Sequence, residues 1–87
     1  MGGAPNISLN EVIKGIRLLV NGNRGGIKYF RARQIAKALG YPLTPGILAL
    51  IGMRLKELAA KGYIEIDVRD SKKARVYIVR RGSKIWP

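Results

Sequence analysis

The 87-residue sequence predicts an α+β domain: three helices, one short strand and a C-terminal two-stranded β-hairpin. Three observations predict it. Apolar residues recur at helical spacing in three stretches, each closed by a glycine. After the third, the period switches to two and is broken by a polar loop. The chain is also the size of one small domain with a modest core.

The elements follow in order. Ser8-Leu9-Asn10-Glu11 is a capping box, in which the Ser8 hydroxyl accepts from Glu11 N–H and the Glu11 carboxylate reaches back to Ser8 N–H. Ile7 and Val12 occupy the staple positions around it. Val12, Ile13, Ile16, Leu19 and Val20 carry the first helix over about 9–20, and Asn21-Gly22 stops it. Asn23 to Gly26 is a turn, and Ile27 to Phe30 a short strand. From Arg31 to Leu39 the helical period returns, with Ala32, Ile35, Ala36 and Leu39 on one side and Arg33 and Lys37 on the other. Gly40 and Pro42 end this second helix.

Thr44 is a good N-cap and Pro45 fits the first helical position, so the third helix starts there and runs to Lys61, before Gly62. Tyr63 to Val68 alternates cleanly, Arg69 to Lys73 is a polar loop, and Ala74 to Val79 is the returning strand. Ile64, Ile66, Val68, Val76 and Ile78 are the residues this pattern offers to the core. Residues 1–7 are expected to be a flexible N-terminus, 8–82 the domain and 83–87 a basic tail.

Composition narrows the function. Seventeen Lys and Arg oppose five Asp and Glu, giving a formal net charge of +12. Between Glu11 and Glu57 there are nine bases and no acid. Such self-repulsion gives a free domain nothing, so a polyanionic partner is implied, nucleic acid being the commonest. Cys and His are both absent, which removes disulfides, thiolate metal sites, the usual zinc ligand and the usual general base. The acids are scattered, and Ser8, Ser71 and Ser83 have no partner base in view. We therefore expect no enzyme. We also expect no cofactor: the Gly22–Gly26 turn lacks the Lys-Ser/Thr of a nucleotide-binding loop. The N-terminus has no basic-then-apolar leader, and the longest uncharged run, Ala38 to Met53, holds two prolines and is too short to span a bilayer. The expectation is a cytoplasmic, nucleoid-associated protein with no membrane partner.

Two consecutive helices joined by a short Gly-containing turn make a helix-turn-helix, and the hairpin follows directly. The segment MRLKELAAKGYIEIDVRDSKKARVYIVRRG resembles the third helix and wing of winged helix-turn-helix domains, with Leu55, Leu58, Gly62, Tyr63, Ile64 and Tyr77 at the characteristic places. RARQIAKALG is similar to the second helix of that fold. The resemblance covers about residues 8–82, and its style is that of small archaeal DNA-binding proteins. It implies double-stranded DNA binding, in chromatin architecture or transcription regulation. It also leaves a second class open, an adaptor that binds protein or structured RNA in a replication, transcription or ribosomal assembly.

The resemblance implies a role for the wing loop, where Arg69, Lys72, Lys73 and Arg75 would grip phosphates and add affinity without reading sequence. The alternative there is a solubilising hairpin tip. Arg31, Arg33 and Lys37 would stand near phosphates at the start of the second helix, where the backbone N–H groups favour an anion; the alternative is an ordinary solvated face. Trp86 would stack on a base or cover an edge of the core, at the first helix.

On a helical wheel, Leu48, Ile51, Leu55 and Leu58 form the core stripe of the third helix. Gly46, Ala49, Met53, Lys56 and Ala60 lie opposite, flanked by Leu50 and Glu57. A sequence-specific reader would hold Arg, Asn, Gln or Ser there; only Arg54 and Lys56 come near. The expected readings are backbone binding with limited sequence preference, and a homodimer or partner patch at Leu50 and Met53.

Overall fold

The structure is a computed structural model and describes residues 7–67 and 75–86. Three helices pack beside a small three-stranded antiparallel sheet. The order along the chain is α1 (Leu9–Val20), β1 (Ile27–Phe30), α2 (Ala32–Leu39), α3 (Pro45–Ala60), β2 (Glu65–Asp67) and β3 (Val76–Arg80).

The helix boundaries follow local chemistry. Ser8 Oγ accepts from Glu11 N–H at 3.2 Å, which satisfies one orphan donor at the start of α1. The other half of the expected capping box does not form. The Glu11 carboxylate accepts instead from the Tyr41 hydroxyl, which ties the turn after α2 to α1. Thr44 Oγ1 accepts from Ile47 N–H at 3.3 Å and Pro45 takes the first position of α3. Both α2 and α3 end in the same six-to-one closure. Tyr41 N–H donates to Ala36 O at 2.9 Å around Gly40 (φ +80°), and Tyr63 N–H donates to Leu58 O at 3.1 Å around Gly62 (φ +82°). Only glycine holds that left-handed turn without strain.

The sheet order is β1-β3-β2, so the last strand is the central one. Phe30 pairs with Tyr77 and Lys28 with Val79 on one side of β3, and Ile66 pairs with Tyr77 on the other. Residues directly opposite share a face, so Phe30, Tyr77, Ile66 and Val79 look toward the helices. This corrects the sequence-based choice of Val76 and Ile78 for the core face. Every residue from Val76 to Val79 is apolar or aromatic, and such a run does not say which alternate set faces in. Pairing to β1 decides it: the Phe30 and Tyr77 rings stack, with centroids 5.8 Å apart. Ile78 is covered, yet stands on the outer face between Tyr29 and Glu65.

The core joins Val12, Ile16 and Val20 of α1, Ile35 and Ala36 of α2, Ile47, Ile51, Leu55 and Leu58 of α3, and the inner sheet face. It extends past residues 8–82 at both ends. Ile7 is fully enclosed. So is Ile85, whose carbonyl accepts from Arg17 Nε at 3.3 Å, while Ser83 Oγ donates to Tyr63 O at 2.5 Å. Burying one isoleucine side chain is worth about 2 kcal/mol, so the expected tail is held against α1 and the end of α3 by core packing. Trp86, half-buried beside this cluster, covers an edge of the core. Among the described residues, no helix is long and apolar enough to cross a membrane.

Candidate nucleic-acid interface

The sheet and the two later helices enclose a cleft of about 460 Å³. The start of α2 contributes Arg31, Ala32 and Arg33, one side of α3 contributes Leu48, Ala49 and Gly52, and the start of β3 contributes Arg75 and Tyr77. These residues are far apart in sequence. The pairing of β1 with β3 brings them together, because Phe30 pairs with Tyr77, one residue before Arg31 and two after Arg75.

Three arginines thus share one concavity, and among the described residues no carboxylate lines it. All three are exposed, and none forms an ion pair among the described residues. The described glutamates are committed elsewhere: Glu11 to Tyr41, Glu57 to Arg54 and Glu65 to Arg80. The start of α2 adds to the positive character. Arg31 N–H donates to Gln34 Oε1 at 2.9 Å, and Gln34 and Ile35 N–H both turn to Arg31 O. The N–H groups of Ala32 and Arg33 meet no acceptor among the described residues, and they stand at the positive end of the helix dipole.

The other predicted residues fall in different places. Lys37 is exposed one turn further along α2, in a shallow groove with Leu19, Gln34 and Ala38, outside the cleft. Lys56 is exposed on α3 beside Met53 and Ala60. Arg54 is turned away from that face: its Nε donates to Ile7 O at 2.9 Å and one terminal nitrogen meets Glu57 at 2.8 Å. It anchors the chain leading into α1, which departs from the expectation of an outward-facing base. Leu50 also differs, since it is half-buried against the core, whereas Met53 is 59 % exposed. The outward stripe of α3 is Gly46, Ala49, Met53, Lys56 and Ala60, as the wheel places it. Arg69, Lys72 and Lys73 lie outside the described residues.

Tyr77 was not legible as a site residue. Its ring is enclosed, only 4 % of the residue being exposed. Its hydroxyl reaches the α3 wall, where it is the nearest atom to the point a Gly52 Cβ would occupy, 4.0 Å away. Burial pushes its phenol above the usual tyrosine range while nearby Arg75 pulls it down, so at neutral pH it keeps its proton and is a donor. A tyrosine where a phenylalanine would fill the core equally well was the one available signal.

No protein-family model, no curated protein and no solved structure matches the chain.

Proposed function

We propose that this chain is a winged helix-turn-helix domain that binds double-stranded DNA mainly through the phosphate backbone, with limited sequence preference, in a chromatin-architectural or transcription-regulatory role. The observation that carries the reading is the cleft shared by Arg31, Arg33 and Arg75, with no carboxylate among the described residues of its lining. Clustered guanidinium groups that meet no partner among the described residues displace the counterions condensed on a duplex when they neutralise its phosphates, which favours binding to any duplex. The adjacent stripe of α3 supports weak base readout. Of Gly46, Ala49, Met53, Lys56 and Ala60, only Lys56 has a side chain that donates strong hydrogen bonds. The small Gly46 and Ala49 allow close approach to a groove, and Ala49 and Met53 can touch thymine methyls.

One observation favours a second reading, an adaptor that docks on protein or structured RNA: Met53, a large apolar side chain, stands 59 % exposed on the outward stripe of α3. A titration separates the two. Labelled duplexes of unrelated sequence, single-stranded DNA and double-stranded RNA are measured at two salt concentrations. Similar affinity for every DNA duplex, falling steeply with salt, supports the first reading. Failure to bind any DNA duplex at low salt, or a strong preference for RNA, refutes it.

A further inference from the structure

We infer that the cleft seats one phosphodiester unit of the backbone, with the Tyr77 hydroxyl donating to a phosphate oxygen from its floor. The inference deepens the DNA-binding reading and rests on it. Its starting point is independent of charge. Tyr77 is enclosed, lines the cleft and has a hydroxyl that meets no hydrogen-bond partner among the described residues. Among the described residues no fully buried side-chain polar atom lacks a partner, so this hydroxyl is the open part of an otherwise enclosed residue, a donor facing the cleft, and phenylalanine would stack on Phe30 equally well. An acceptor seated in the cleft takes the place of water on it.

The surroundings identify the acceptor. The walls carry three arginines and the two open N–H groups of Ala32 and Arg33, all of them donors. A group that accepts from every side and carries negative charge fits this set, as the non-bridging oxygens of a phosphate do. The α3 wall is different, since Leu48, Ala49 and Gly52 carry no polar side-chain group. A bare phosphate would leave that wall facing water, whereas the deoxyribose attached to a phosphodiester covers it. The volume, about 460 Å³, is in the range of small-ligand sites and exceeds what one inorganic anion fills.

The inference makes a prediction that the arginines alone do not. The hydroxyl is neutral, so it releases no counterion. Tyr77→Phe should lower duplex affinity about 10-fold, as expected for one lost hydrogen bond to a charged group, while leaving the salt slope unchanged. The melting temperature should not fall, because the ring and its stacking remain. Ala49→Leu, at an exposed position outside the core, should fill the cleft and weaken binding comparably.

The experiment measures duplex affinity and salt slope for wild type and both variants. In parallel, thymidine 3′,5′-bisphosphate is titrated while the amide resonances of Ala32, Arg33 and Gly52 are followed. Reduced affinity at constant slope, with bisphosphate shifts at these amides that weaken in Tyr77→Phe, is the expected result. Wild-type affinity in both variants overturns the seat and leaves duplex binding standing. Bisphosphate shifts that depend on Tyr77, without any duplex binding, uphold the phosphate seat and overturn the DNA reading. No shifts and no duplex binding overturn both.

Discussion

Removing Arg31, Arg33 and Arg75 together tests whether the positive charge acts locally or only in bulk. Each side chain is exposed and outside the core, so the triple alanine variant should keep its melting temperature. The salt dependence should change. Each neutralised phosphate contributes about −0.9 to the slope of log affinity against log salt, so about five contacts give a slope near −4.5. Raising salt from about 50 to about 200 mM then weakens wild-type binding about 500-fold. With three contacts removed, the slope falls to about −1.8 and the same step weakens binding only about 12-fold. The control is Lys14→Ala/Arg24→Ala/Lys61→Ala, three exposed bases that do not line the cleft. Both variants lose three charges from the same +12. Fluorescence anisotropy with one labelled duplex, at five salt concentrations, gives the slopes. Equal slopes for the two triples would refute the reasoning, because binding would then follow net charge and not the cleft.

Other outcomes follow from single contacts. Arg54→Ala should destabilise the fold by about 1–2 kcal/mol in urea unfolding, through the bond to the Ile7 carbonyl more than the half-exposed pair with Glu57, and leave duplex affinity unchanged. Met53→Glu should keep the melting temperature and the sedimentation coefficient but lower duplex affinity, since it places an acid on the outward stripe of α3; a drop in sedimentation coefficient from a dimeric wild type would point to self-association instead. The hydrogen bond to Glu11 raises the phenol of Tyr41 above its unfolded value, so its contribution to stability is fully present below about pH 10 and is lost as pH rises through the folded value. Unfolding midpoints measured from pH 8 to 11 should therefore decline at the alkaline end, and Tyr41→Phe should flatten that decline.

Helix ends were legible because their signals are local. Ser8, Thr44-Pro45, Gly40 and Gly62 each act on backbone groups within a turn of themselves, and the chain around them needs no distant partner. Strand faces were not legible. Four consecutive apolar or aromatic residues in β3 satisfy either register, and only the stacking of Tyr77 on Phe30, 47 positions away in sequence, selects one. The wheel of α3 placed its outward stripe correctly but could not show that the chain at Ile7 would come within reach of Arg54. Likewise Glu11 was read through its own helix, while its proton donor arrived from the turn after α2. The arginines of the cleft were legible as charge. Their convergence, and the hydroxyl beneath them, depend on β1 pairing with a strand that begins 46 residues after β1 ends.

The central place of β3 also orders events during synthesis. β1 and β2 are not hydrogen-bonded to each other; among the described residues each pairs with β3. While residues up to Asp67 emerge from the ribosome, three helices with local contacts can form and meet, but both strands present bare edges. When Val76–Arg80 appears, one short segment completes the whole sheet, places Tyr77 in the core and Arg75 beside Arg31 and Arg33, and brings Ile85 in behind it. The positive cleft therefore does not exist on the nascent chain until β3 has docked, so a strongly basic polypeptide does not gather these arginines into one concavity before its core is closed.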